Sequence, residues 1–96
     1  MTYSIALLRS ADKFLSKLVR QQPSDAQNIE EAIQSLAESP HPPGCEQLKG
    51  YSGIFRIRVG NYRICYRVDG GELLILVIVI NERNEIHQEL RRHLGR

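Results

Sequence analysis

Two short runs of alternating apolar and polar side chains lie in the middle of the chain. Residues 54–59 and 62–68 are rich in β-branched and aromatic side chains, and only Gly60 and Asn61 separate them. Such runs on either side of a Gly-Asn dipeptide predict a β-hairpin with a two-residue turn. Since side chains alternate between the two faces of a strand, one face of the hairpin is expected to be apolar. That face carries Phe55, Ile57, Val59, Tyr62, Ile64 and Tyr66.

The other face of the predicted hairpin carries four arginines, namely Arg56, Arg58, Arg63 and Arg67. A two-residue turn places Arg58 opposite Arg63, and like charges at such positions destabilise a sheet by roughly 0.2–1 kcal/mol per pair. Exposed arginines are common on strands, where their stems cover apolar surface. A purely structural face usually mixes charges, however, and no carboxylate lies between residues 54 and 68. Because the planar arginine fork suits phosphate, this face predicts a nucleic-acid ligand.

The rest of the pattern predicts two helices before the hairpin and a strand and a helix after it. Residues 3–8 alternate as a weak first strand, and apolar residues then recur at helical spacing over 11–19 and 26–37. Val19 falls on the apolar side of the first helix, and Ser10 and Ser24 are the candidate helix caps. The apolar run 73–80 predicts a strand covered on both faces, and residues 81–94 favour a terminal helix. The expected order is β-α-α-β-β-β-α.

Length and composition indicate a single domain over residues 1–96, because 96 residues with a hydrophobic fraction of 42% bury one ordinary core. The net charge of +2 is unevenly spread. Residues 1–48 hold four Lys/Arg against six Asp/Glu, whereas residues 49–96 hold nine against five. The positive half therefore contains the hairpin.

Cysteine usage and the absence of targeting signals indicate a cytoplasmic protein. Cys45 and Cys65 make neither a disulfide framework nor a metal-ligand spacing, so a reduced compartment is expected. The N-terminus has no signal-peptide pattern, and the run 73–80 is too short to span a membrane as a helix. No metal cluster or phosphate-binding glycine loop is visible, so we expect neither a metal nor a cofactor.

Three segments of the second half resemble a known family. They are Leu48-Lys49-Gly50, the run 55–66 with the letters FRIRVGNYRICY, and Arg83-Asn84-Glu85-Ile86-His87. In this order they resemble the RelE/ParE superfamily of bacterial toxins. The resemblance implies an α+β fold in which an N-terminal helical hairpin packs on a curved antiparallel sheet, with a C-terminal helix. It also implies a small cognate antitoxin as partner.

Members of the superfamily differ in activity. RelE-like members cleave messenger RNA, typically in the ribosomal A site, and ParE-like members inhibit DNA gyrase. The RelE-like function implies a metal-independent endoribonuclease that leaves 2′,3′-cyclic phosphate and 5′-hydroxyl ends. Its basic residues on the second and third strands and near the C-terminus bind and cleave the RNA backbone. Here the matching positions hold Arg56, Arg58, Arg63, Arg83 and His87.

Each of these residues can be given a chemical role. Arg58 and Arg63 match the two non-bridging phosphate oxygens. Arg56 and Arg83 extend that clamp, and Arg56, Lys49 and Arg67 are expected to contact RNA phosphates. Arginine stays protonated and is a poor general base. His87 follows Arg83 by four residues and titrates near neutrality.

The general base stays open between His87 and Glu46. Glu46 lies just before Leu-Lys-Gly, as in YoeB-like relatives where a Glu is the base and a C-terminal His the acid. Two other functions also stay open. One is gyrase inhibition, against which the retained arginines and His87 argue. The other is a catalytically degenerate RNA- or antitoxin-binding module, because the usual C-terminal Tyr is absent.

Overall fold

The computed structural model describes residues 2–82, 91 and 94. The elements in chain order are β1 (Ser4–Leu7), α1 (Arg9–Gln21), α2 (Pro23–Leu36), β2 (Glu46–Gln47), β3 (Ile54–Val59), β4 (Tyr62–Asp69) and β5 (Leu74–Asn81). Within this part of the chain, the strands form one sheet in the order β1-β5-β4-β3-β2. The predicted α+β class, with a helical hairpin on a sheet, is confirmed.

The sheet is mixed rather than antiparallel throughout. β1 runs parallel to β5, with Ser4 opposite Leu74, whereas β2, β3, β4 and β5 pair antiparallel with their neighbours. Parallel pairing needs a long connection, and the chain between β1 and β5 supplies one. The strand β2 was not predicted, because two polar residues carry no periodicity. The predicted terminal helix lies outside the described residues, apart from Arg91 and Leu94.

The helix starts differ from the predicted caps. α1 begins at Arg9 with Leu8 in the N-cap position, and the hydroxyl of Ser10 instead donates a hydrogen bond of 3.3 Å to the carbonyl of Ile78. α2 begins at Pro23 rather than after Ser24. Proline is suited to a first helical turn because it has no N–H to leave unpaired and its φ is already fixed.

The hairpin forms with the predicted register. Val59 pairs with Tyr62 and Arg58 pairs with Arg63, so Gly60 and Asn61 are the two loop residues. Gly60 has a φ of +61°, whereas Asn61 has no positive φ. A positive φ at the first loop residue alone agrees with a type II′ turn, whose twist matches that of the flanking strands.

Apolar residues cover both faces of the sheet. On one face the helices pack against β3, β4 and β5 in a cluster that includes every predicted apolar residue of the hairpin. On the other face a smaller cluster holds Leu48, Ile54, Cys65, Ile78 and Val79. The strand β5 contributes to both clusters, as predicted for its continuous apolar run.

Val19 was wrongly predicted to be on the inner side of α1, since it is 46% exposed. Its neighbour Leu18 fills the core instead. No helix in residues 2–82 is long and apolar enough to cross a membrane.

Candidate nucleic-acid interface

Four arginines lie on the face of β3 and β4 that is turned away from the helices. Their strand neighbours alternate with them and pack into the helix-side core, so the strand alternation places all four on the opposite side. Arg58 and Arg67 are exposed, and Arg56 and Arg63 are partly buried. We call this surface the arginine face, and it consists of Arg56, Arg58, Arg63 and Arg67.

Arg58 and Arg63 face each other across the two strands of the arginine face. These residues are direct partners in the antiparallel register of β3 and β4. Neither forms a salt bridge or a side-chain hydrogen bond within residues 2–82. Two unneutralised guanidinium groups on facing strands repel each other, and an anion between them would remove that cost.

The smaller apolar cluster lies on the same face of the sheet as the arginines. Cys65 pairs with Arg56 across the hairpin and is fully buried. Burial raises the pKa of the Cys65 thiol to about 12, although the nearby Arg56 charge acts in the opposite direction. The thiol is therefore neutral at physiological pH. Cys65 therefore adds no negative charge to the face that carries the arginines.

Arg56 is held by Glu46 from the edge of the sheet. The two residues are register partners on β2 and β3, and Arg56 Nη2 donates a hydrogen bond of 2.9 Å to Glu46 Oε1. The side chain of Glu46 is 61% exposed, against 20% for Arg56. The short strand β2 therefore places a solvent-accessible carboxylate at the margin of the arginine face.

Two buried polar atoms near this face have no hydrogen-bond partner among the described residues. They are Nε of Arg56 and Oδ1 of Asn81. Asn81 is the register partner of Arg63 at the end of β5. Asn81 was not among the predicted site residues. The available signal was its position as the first polar residue after the apolar run that forms β5.

Lys49 lies on the loop from β2 to β3. It is exposed and lines a shallow groove of about 550 Å³ with the rest of residues 47–52. A neighbouring groove of about 250 Å³ is lined by Tyr51, Ser52, Ile54, Arg67 and Leu94. These grooves continue from the arginine face along the adjacent loop. A bound strand could extend into them.

The described part of the chain brings together most of the predicted site. Glu46, Arg56, Arg58, Arg63 and Arg67 share one side of the sheet, with Lys49 on the adjoining loop. Arg83 and His87 lie outside the described residues. Among residues 2–82, 91 and 94, no group of three or more His, Cys, Asp or Glu is placed to hold a metal ion.

Comparisons with solved structures show which proteins share this fold. A mutant of the E. coli toxin RelE in the free state superposes with a TM-score of 0.77 at 22% identity, covering 98% of this chain and 99% of that one. RelE in the archaeal RelE–RelB complex from Pyrococcus horikoshii gives 0.74 at 24% identity, covering 88% and 98%. The YoeB/ParE toxin from Agrobacterium tumefaciens gives 0.75 at 23% identity, covering 83% and 98%.

Sequence comparison identifies the family. No curated protein is significantly similar to the chain. The family model for the ParE toxin of the type II toxin–antitoxin system parDE matches residues 5–87. This match spans most of the chain and includes both helices, the hairpin and β5. The predicted resemblance is confirmed, and the chain belongs to the ParE toxin family of the RelE/ParE superfamily, as the toxin of a type II toxin–antitoxin system.

Proposed function

We propose that this toxin is a metal-independent endoribonuclease that cleaves messenger RNA in the ribosomal A site. The observation that carries the proposal is the direct pairing of Arg58 with Arg63 on an exposed face, with no carboxylate bound to either within the described residues. A converging pair of cations is what an anionic transition state requires. A protein that only inhibits by binding has no such requirement.

The proposed reaction is a transesterification within the RNA backbone. The ribose 2′-oxygen attacks the adjacent phosphorus and forms a new O–P bond, while the bond from phosphorus to the 5′-oxygen breaks. Arg58 and Arg63 bind the two non-bridging oxygens, where negative charge develops. Lys49 and Arg67 hold flanking phosphates, and Arg83 extends the clamp. The products are a 2′,3′-cyclic phosphate and a 5′-hydroxyl.

Glu46 and His87 are the proposed proton carriers. The exposed carboxylate of Glu46, bound to Arg56 at 2.9 Å, would take the proton of the 2′-hydroxyl. His87 would supply a proton to the departing 5′-oxygen. The ion pair supports this division because it keeps Glu46 beside the cations that bind the phosphate.

The test uses translating ribosomes supplied with messenger RNA. Arg58→Ala and Arg63→Ala should each lower the cleavage rate by about a hundredfold, as loss of one preorganised donor to a developing charge does. Gln34→Glu is the control, because it changes the net charge by the same amount away from the arginine face. Gln34 is exposed on α2, on the other side of the sheet. Equal cleavage by wild type and Arg63→Ala would refute the proposal.

Glu46→Gln tests the base. It should lower the cleavage rate by about a hundredfold, because an amide cannot accept the proton of the 2′-hydroxyl. The Glu46 side chain is 61% exposed, whereas Arg56 is 20% exposed, so loss of the ion pair should lower stability by about 1 kcal/mol. Cleavage by Glu46→Gln at the wild-type rate would instead assign the base to His87.

Gyrase inhibition is the second candidate, and the family match favours it because the matching model is that of ParE toxins. A DNA supercoiling assay with purified gyrase separates the two functions. Arrest of supercoiling with intact messenger RNA would establish gyrase as the target. Activity in neither assay would identify a degenerate binding module.

We also propose a small cognate antitoxin as partner. RelE from Pyrococcus horikoshii was solved in complex with RelB. A short antitoxin-like reading frame beside the gene, whose product copurifies with this chain and blocks its activity, would support the pairing. Both the ribosomal substrate and this partner fit a cytoplasmic location.

A further inference from the structure

A second basic surface lies on α1, on the helical layer of the protein. Arg9, Lys13, Lys17 and Arg20 are all exposed. At 100° per residue they fall within about 80° of the helix circumference. The buried residues Ala11 and Leu18 lie on the opposite side of α1. We call these four cations the α1 basic stripe.

Three of the four stripe residues are unfavourably placed for the helix that carries them, and only Arg20, in the last turn, is favoured by the helix dipole. Arg9 with Lys13, and Lys13 with Lys17, are like-charged pairs four residues apart, each unfavourable by roughly 0.2–0.5 kcal/mol. Arg9 also lies in the first turn, where the helix dipole disfavours a cation. No member of the stripe forms a salt bridge with a described residue. An external anion bound along the stripe would therefore relieve the repulsion that the fold leaves in place.

Nearby carboxylates do not neutralise the positive charge of the stripe. Asp12 lies outside its sector, and Glu82 shares a groove with Lys17 without a salt bridge. The other helix is acidic, since α2 exposes Glu30 and Glu31. The positive charge of the helical layer is therefore concentrated along α1.

The composition of the stripe favours nucleic acid over protein. Protein interfaces depend on buried apolar or aromatic anchors, and the stripe has none. Val19, the exposed large hydrophobic residue among those described, lies roughly 120° away around α1. Single-stranded nucleic acid is usually held by aromatic stacking, which the stripe also lacks. A straight row of cations about 16 Å long fits the phosphate backbone of a duplex.

We propose that the α1 basic stripe binds the phosphate backbone of a folded, double-stranded RNA segment. The sheet and its core separate the stripe from the arginine face, so the two surfaces bind different RNA segments at the same time. This second site goes beyond the proposed cleavage and does not require it. It anchors the protein on structured RNA while the arginine face holds a single strand.

Fluorescence anisotropy with two labelled probes tests the proposal on the purified full chain. One probe is an RNA duplex of about 16 base pairs, and the other is a short 2′-O-methyl single strand that resists cleavage. Lys13→Gln/Lys17→Gln is the stripe variant, since Gln retains helix propensity. Gln27→Glu/Gln34→Glu on the exposed side of α2 is the control with the same change in net charge. Circular dichroism verifies folding of each variant.

The stripe variant should bind the duplex about tenfold more weakly than the control, and its salt slope should fall by about two. Its affinity for the single strand should stay within about twofold of the control. Arg58→Ala/Arg63→Ala should instead weaken binding of the single strand and leave binding of the duplex unchanged. Both affinities are measured without cleavage, so the result does not depend on nuclease activity. Equal duplex binding by the stripe variant and the control would overturn the proposal.

Discussion

The phenol of Tyr62 donates a hydrogen bond of 2.8 Å to a carboxylate oxygen of Asp25, which joins the start of β4 to the first turn of α2. Phe14 of α1 packs edge-on against the Tyr62 ring, with a centroid separation of 6.2 Å. The hairpin that carries Arg58 and Arg63 is thus fixed to both helices at its turn end. The position of the arginine pair relative to the rest of the protein depends on these contacts.

Tyr62→Phe should lower the free energy of unfolding by about 1–2 kcal/mol, because it removes a partly buried hydrogen bond to a charged group. Urea denaturation followed by circular dichroism measures the change. Tyr3→Phe is the matched control, since the Tyr3 hydroxyl makes no hydrogen bond with another described residue. Equal stability losses in the two variants would show that the Asp25 contact is not responsible.

Alkaline pH should destabilise the wild type more than Tyr62→Phe. The hydrogen bond to Asp25, together with burial, raises the pKa of Tyr62 from 10.0 to about 12. The folded protein therefore holds this proton when the unfolded chain has already lost it. The resulting stability is complete below pH 10 and is lost as the pH rises towards 12. Urea midpoints measured across this interval should fall more steeply for the wild type, and parallel pH dependences would contradict the assignment.

Much of the hairpin could be predicted from the sequence because local chemistry determines it. Gly60 and Asn61 fix a two-residue turn, and the turn fixes the register that sets Arg58 against Arg63. The distribution of apolar and basic side chains between the two faces then follows from strand alternation alone. For this reason the arginine face was predicted residue by residue.

The errors occurred where tertiary contacts outweigh local preference. Ser10 has a typical capping side chain, but its hydroxyl bonds to β5 instead. Val19 fits the helical spacing of the apolar residues, yet it lies at the margin of the helix face that the sheet covers. The strand β2 exists through its pairing with β3, a long-range interaction without a periodic signal. That pairing places Glu46 beside Arg56, which composition could not reveal.

The two cysteines should differ sharply in reactivity. Burial raises the pKa of Cys65 to about 12, and only the thiolate reacts with alkylating or disulfide reagents. Cys45 is only partly buried. At pH 8 a disulfide reagent should therefore modify Cys45 in the folded protein and Cys65 only upon unfolding. Cys45→Ser isolates the second thiol, and rapid labelling of that folded variant would disprove its protection.

Gly60→Ala should destabilise the protein by about 1–2 kcal/mol, because Gly60 has a φ of +61° and a Cβ is strained in that region. A Cβ built at this position meets no heavy atom within 4 Å, so the cost is purely conformational. Gly71→Ala is the matched control, since Gly71 has no positive φ and its Cβ would lie 3.5 Å from an Asp69 oxygen, an ordinary contact. That variant should be unchanged or slightly stabilised through the reduced entropy of its unfolded chain. Urea midpoints that fall equally in both variants would show that the positive φ of Gly60 is not the cause of the destabilisation.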